Sequence, residues 1–188
     1  MIDRRVFVLG LPALLAACGG GGPRSLPVGP DGQPLQRLYR IRPSQTGAIQ
    51  FRMLDGVNAL RGADGLVALE LNSELNAAAA THARDMAVQN RPWHFGSDGS
   101  SPIDRVRRVG YQGLLVGETI SETFETELET LAAWMQNPDT RGVIMDDRAR
   151  DMGFSWFQED TGKIWWTLVI GAPGEGPVPS PIPAADLS

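Results

Sequence analysis

The chain has 188 residues, 42% of them hydrophobic and 21% charged, with a formal net charge of −5. That length and balance describe one domain with a sizeable core. The acidic charge excludes nucleic acid as a partner, since phosphate binding needs a basic face.

The first segment is an address, not structure. Asp3-Arg4-Arg5-Val6-Phe7-Val8 is a twin-arginine pattern opening an apolar run to Ala17, a run too short to span a bilayer. The run ends in Leu15-Ala16-Ala17-Cys18, a lipobox-like sequence that holds the single cysteine of the chain. A lone cysteine in an exported protein is otherwise a reactive thiol without a partner. The expectation is a lipoprotein signal peptide over residues 1–17 and lipid attachment at Cys18. Gly19 stands where an inner-membrane retention signal of Gram-negative lipoproteins carries aspartate. By resemblance to Gram-negative lipoproteins, the expected address is the cell envelope, at the periplasmic face of the outer membrane; a Gram-positive host would change it. Residues 18–47 are rich in glycine and proline, beginning Gly19-Gly20-Gly21-Gly22-Pro23, and read as a flexible tether after the lipidated cysteine.

A first helix is expected over residues 48–60, with Ile49, Met53, Val57 and Leu60 on one face. Gly62 and Gly65 end it, and Leu66-Val67-Ala68-Leu69 is extended. Asn72 or Ser73 caps a second helix running to about Asn90, with Leu75, Ala79, His82 and Met86 inward. At that position His82 reads as a core histidine rather than a ligand.

The central stretch runs from Trp93 to Ile120. Ser97-Asp98-Gly99-Ser100 is turn chemistry, and Ser101-Pro102-Ile103-Asp104 is a helix start. Arg107-Arg108 and Gly110 mark the end of that short helix. Leu114-Leu115-Val116 is a buried strand, followed at once by Gly117-Glu118. A carboxylate beside an apolar strand is solvated, paired or functional. His94 and Glu118 facing one cleft can bind a metal or share a proton. They can equally be local structure, Glu118 accepting loop hydrogen bonds and His94 packing on Trp93.

A third helix is expected over residues 121–135, with Phe124, Leu128, Leu131 and Met135 as its stripe. Glu122, Glu125, Glu127 and Glu129 read as its solvated face. Asn137-Pro138 stops it, and residues 140–145 form a further helical turn. Two strands, residues 152–157 and 164–170, close the domain through a hairpin at Glu159-Asp160-Thr161-Gly162. Residues 173–188 are a disordered proline-rich tail. The fold class is α+β, a three-layer α/β/α sandwich in which helices flank a small antiparallel sheet.

The motifs in their order resemble the bacterial branch of the CAP superfamily, which includes the cysteine-rich secretory, antigen 5 and pathogenesis-related proteins and is also called the SCP domain. They are Val57-Asn58-Ala59-Leu60-Arg61, His82-Ala83-Arg84-Asp85-Met86-Ala87, the run His94 to Pro102, Gly110-Tyr111 and Gly117-Glu118. Trp134, Asn137-Pro138 before Arg141, Met152-Gly153-Phe154 and Trp166-Thr167 continue the match across residues 49–171. The CAP domain is accordingly placed at residues 48–172.

The resemblance implies a cleft that in many members carries two histidines and two acidic residues, and in some binds zinc. His94 and Glu118 match two of the four. Thr140 stands at the second histidine, Asn137 falls near the second acid, Thr119 replaces an asparagine and Leu168 a glutamine. Zinc wants three or four good ligands. With two left, weak or absent zinc binding and no cofactor are expected, unless Asp139 swings in. The leading expectation is a non-catalytic binding or structural module, anchored to the membrane by its N-terminal lipid. Its ligand would be a lipid, cell-wall material or an envelope protein. The alternative is a hydrolase or metal-dependent enzyme using His94 and Glu118. A passive scaffold, its cleft serving only stability, is the third reading.

Overall fold

The computed structural model describes residues 38–174. The signal segment, Cys18 and most of the proline-rich tail lie outside the described residues.

After a 3-10 turn at Pro43–Gln45, the order is α1 (Thr46–Ala63), β1 (Glu70–Leu71), α2 (Ser73–Gln89), α3 (Pro102–Arg108), β2 (Leu114–Thr123), α4 (Glu127–Gln136), α5 (Pro138–Ile144), β3 (Asp151–Gln158) and β4 (Ile164–Ala172). The strands lie in the order β1-β3-β4-β2. The β2–β4 and β3–β4 pairs are antiparallel, as expected, while the two-residue β1 runs parallel to β3.

Strand β4 is buried along its whole length, and its period of two sorts the core into two halves. Ile164, Trp166, Leu168 and Ile170 face Ile49, Met53 and Val57 of α1, Leu131 and Trp134 of α4 and Ile144 of α5. Trp165 and Val169 face the other way, onto Leu75, Ala79, Ala83 and Met86 of α2 and Val106 of α3. Helices therefore cover both faces of the sheet, the expected three layers. Gly153 lets α2 approach β3 closely, because a Cβ there would collide with the Leu75 carbonyl and the Asn76 amide.

Several local expectations change. Residues 121–123 belong to β2, pairing Ser121 with Trp166, Glu122 with Trp165 and Thr123 with Ile164. Helix α4 starts only at Glu127, where Thr126 and Glu129 form a reciprocal capping box. The helical spacing of Phe124 and Leu128 misled, since these side chains are 51% and 44% exposed. Glu127 is not solvated but buried, bound by Arg52 Nε at 2.6 Å and by the Tyr39 hydroxyl at 2.8 Å. Burial and this carboxylate push the Tyr39 pKa up to about 12.

Residues 38–47, placed in the tether from sequence, join the domain. The Ile41 amide donates to Gln158 Oε1 at 2.9 Å, Gln158 Nε2 donates to the Tyr39 carbonyl at 2.7 Å, and Thr46 opens α1. In α1 the inward position after Val57 is Arg61, not the exposed Leu60. The Arg61 guanidinium is fully buried and donates to the carbonyls of Val67, Ile144, Asp146 and Ala149. Asn58 bonds both the amide and the carbonyl of Leu69, so residues 66–69 are pinned as irregular chain and the strand begins only at Glu70.

Candidate functional site

Glu118 sits on β2 opposite Val169 of β4, so its side chain lies on the α2 face of the sheet. Gly117 precedes it without a Cβ, which would come within 2.6 Å of a Val143 methyl on α5. The side chain of Glu118 is only 2% exposed, and a carboxylate so placed needs partners.

Three elements bring them. Helix α3 brings Arg105, buried itself, whose Nη2 lies 2.9 Å from Oε1 and 2.8 Å from Oε2 of Glu118. Arg105 Nη1 also donates to the Ser100 carbonyl at 3.1 Å, fixing the guanidinium to the turn before its own helix. The loop after α2 brings His94, whose Nδ1–H donates to Glu118 Oε1 at 2.9 Å. Helix α2 brings His82, whose Nε2 stands 3.6 Å from the same oxygen.

The loop carrying His94 is built to hold still. Asn90 takes the left-handed conformation that ends α2, with φ of 49°. Trp93 Nε1 donates to Gln89 Oε1 at 2.7 Å, and the Arg91 guanidinium lies 3.7 Å over the Trp93 ring. Asp85 accepts from the Ser97 amide at 2.7 Å and from Gln89 at 2.8 Å. Ser101 caps α3 as the sequence predicts, and Asp104 returns the bond by accepting from the Ser101 amide.

His82 Nε2 faces the Trp93 carbonyl at 3.0 Å, and a carbonyl only accepts, so Nε2 carries the proton. Its Nδ1 has no hydrogen-bond partner among the described residues. Burial drives the His82 pKa below its ordinary 6.5, outweighing the pull of Glu118. Burial alone would raise Glu118, but the His94 hydrogen bond and the His82 and Arg105 interactions prevail and hold it below its ordinary 4.5. The cluster is thus an ionised carboxylate on a guanidinium, with a neutral buried imidazole beside it. His94 alone reaches solvent, its side chain 49% exposed.

The other expected cleft residues do not join. Asn137 caps α5 by accepting from the Asp139 amide at 2.9 Å. The Thr140 hydroxyl donates to the Trp134 carbonyl at the α4–α5 junction. Asp139 does not complete a metal set: among the described residues no group of three or more His, Cys, Asp or Glu side chains is arranged to hold a metal ion. The donor chemistry agrees, because a guanidinium already lies on both oxygens of the one carboxylate. The residues present do not fit zinc.

The sequence reading omitted Arg105 from the cluster and assigned His82 to plain packing. No local sequence pattern singles out Arg105; its inward turn is visible only in the structure. The short helix α3 turns Arg105 and Val106 inward and Ile103 outward, and an inward arginine needs an anion.

The cysteine-rich secretory protein family model matches residues 54–170. The chain belongs to that family, as the motifs foretold. This CAP domain is 27% identical over 129 residues to the uncharacterized protein YkwD of Bacillus subtilis, covering 69% of this chain and 49% of YkwD. The chain thus spans about half the length of that relative. By structure it is similar to an outer surface protein of Borrelia burgdorferi, with a TM-score of 0.64 and 16% identity over 73% of this chain and 99% of that one. It is also similar to an extracellular SCP-domain protein of Bacillus anthracis, with a TM-score of 0.61 and 20% identity over 71% and 45% of the two chains. At such identities the likeness shows the fold alone. The CAP assignment accords with the α+β architecture.

Proposed function

We propose that this chain is an envelope-anchored bacterial lipoprotein whose CAP domain is a non-catalytic binding or structural module. The observation that carries the reading is the Arg105–Glu118 pair. A carboxylate acting as a general acid or base must be free to take or give a proton. Glu118 is instead clamped on both oxygens by a buried guanidinium. Zinc binding is correspondingly weak or absent, and the module works without a cofactor.

The anchor rests on Leu15-Ala16-Ala17-Cys18 and on Gly19, with the outer membrane's periplasmic face as the address. No helix among the described residues is long and apolar enough to cross a membrane. Two solved proteins of similar fold are an outer surface protein and an extracellular protein, which supports an address outside the cytoplasm. The partner is a lipid, cell-wall material or an envelope protein, and not nucleic acid, given the net charge of −5. Co-sedimentation of the purified full chain tests this, with isolated sacculi, phosphatidylethanolamine–phosphatidylglycerol vesicles and detergent-solubilised envelope proteins in separate arms. Retention in one arm is expected, and retention in none contradicts a binding role.

A second reading has one observation in its favour. His94 is half exposed and its Nδ1 is oriented by Glu118, an arrangement that leaves Nε2 free as a base. Turnover of an envelope substrate, lost in folded His94→Ala and Glu118→Ala, would establish that enzyme. Equal turnover in both variants would remove it.

A further inference from the structure

Helices α2 and α3 and the turn before α3 enclose a cavity of about 170 Å³. Four charged side chains line it: Asp85 of α2, Asp98 of the turn, and Arg105 and Arg108 of α3. Three of them are already paired. Arg108 Nη1 lies 2.9 Å from Asp98 Oδ2, and Arg105 is bound to both oxygens of Glu118. Among the described residues Asp85 is held by neutral donors alone, the amide and hydroxyl of Ser97 and the side-chain amide of Gln89. Burial would raise its pKa, but these bonds prevail and hold it below its ordinary 3.8, so Asp85 is charged at neutral pH. A carboxylate has about four lone-pair sites, and one remains open. Arg105, its side chain 5% exposed, adds a second unused group in the cavity wall: its Nε has no partner among the described residues. Thr81 and Asp85 also line a more open groove of about 380 Å³ along α2, with Ala80, Arg84 and Val88. Val88 is 77% exposed, and Arg84 stands over the Phe157 ring at 5.2 Å rather than on Asp85.

We propose that this cavity and groove bind an aliphatic primary ammonium on a peptide, with Asp85 as its counter-ion and Ala80 and Val88 along its methylene stem. The inference rests on the reading of the domain as a binding module and names the chemistry of its partner, a diamino-acid side chain in the peptide part of cell-wall material. An ammonium on Asp85 forms a charge-assisted hydrogen bond, the strong kind, where the carboxylate has only neutral partners. A long amine side chain lays its stem on apolar surface and keeps its charged head on a polar one, as the groove and cavity require. A peptide also carries carbonyl oxygens, the acceptors that the unused Arg105 donor lacks. A phosphoethanolamine headgroup fits less well. It sets a phosphate two carbons from the ammonium, and the guanidinium groups of the cavity already hold Asp98 and Glu118.

The test follows the amide NMR resonances of the full chain as Nα-acetyl-lysine methylamide is added. The Nζ-acetylated form, which lacks the charge, is the control. The Ser97 amide donates to Asp85 at 2.7 Å and is the reporter. Saturable shifts at Ser97 are expected with the charged probe and none with the control. Thr81→Lys sets an ammonium one helical turn before Asp85 and should weaken the probe about tenfold or more by occupying the carboxylate. Thr81 is exposed and its hydroxyl bonds only the Ala77 carbonyl of its own helix, so this variant keeps the fold. Absence of saturable shifts at Ser97, an equal response to the control, or an unchanged response in Thr81→Lys overturns the inference. A stronger response to phosphoethanolamine than to the lysine probe overturns the choice of a peptide. Retention on sacculi without these shifts would remove this site and leave the binding module standing, whereas retention in no arm of the sedimentation removes the binding reading itself.

Discussion

Arg105 and Glu118 are each expensive alone and stable together. A buried ion pair broken on one side costs about 3–5 kcal/mol, because the surviving charge is stranded. The neighbouring imidazole makes the cluster sensitive to acid. His82 is held below its ordinary 6.5 and Glu118 below its ordinary 4.5. As pH falls through about 6.5 the unfolded chain binds a proton at His82 before the folded one does, so stability declines. It declines again below about 4.5, where Glu118 protonates first in the unfolded chain. Denaturation midpoints from about pH 8 down to about pH 2 should trace both limbs. His82→Gln should flatten the limb that begins near 6.5 and leave the lower one. An unchanged profile would show that His82 does not titrate differently in the two states. His94 and Glu118 were legible in the sequence because each is a lone polar group beside apolar chain. Arg105 was not, because an arginine near a helix C-terminus has a sufficient surface explanation. For His82, spacing gave the burial but not what the ring faces.

At the scale of elements, caps and close approaches decide the boundaries. The helices announce themselves by period and cap: Asn72, one of the two caps read from sequence, caps α2, and Ser101 caps α3 as read from sequence. The β2–α4 junction was illegible for a physical reason. Phe124 and Leu128 lie at helical spacing with Leu131, yet Ser121–Thr123 gains more by pairing along the Trp165–Trp166 strand. Thr126→Ala should therefore cost about 1 kcal/mol in a urea melt, by loss of the α4 cap. Gly153→Ala should cost about 1–3 kcal/mol, since its methyl meets the Leu75 backbone rather than a movable side chain. Unchanged stability in Gly153→Ala would mean that α2 and β3 are less tightly apposed than the structure shows.

At the largest scale, the described residues 38–174 form a sheet closed on both faces by helices, with residues 38–47 bound into it. That segment sets where the domain begins. A chain starting at Ala48 loses the Tyr39–Glu127 and Ile41–Gln158 bonds and leaves Glu127 with Arg52 alone. It should melt roughly 5 °C or more below a chain starting at Leu38. Equal melting would assign residues 38–47 to the tether after all. From sequence this segment was grouped with the tether although only Pro43 and Gly47 of its ten residues are proline or glycine, because the partners that hold it, Gln158 and Glu127, lie far along the chain. The three layers were legible from the periods of α1, α2, β3 and β4, whereas the site depended on contacts between elements that no local pattern encodes. Whether Glu118 serves the fold decides how the cleft is to be understood. Urea unfolding of the full chain as wild type, Arg105→Gln, Glu118→Gln and the double variant measures this directly. The expected result is a loss of about 3 kcal/mol in Glu118→Gln and a coupling of about 2 kcal/mol or more between the two positions. A Glu118→Gln protein as stable as the wild type, or more stable, would mark Glu118 as a group kept for chemistry at the expense of the fold and would contradict its role as a structural anion.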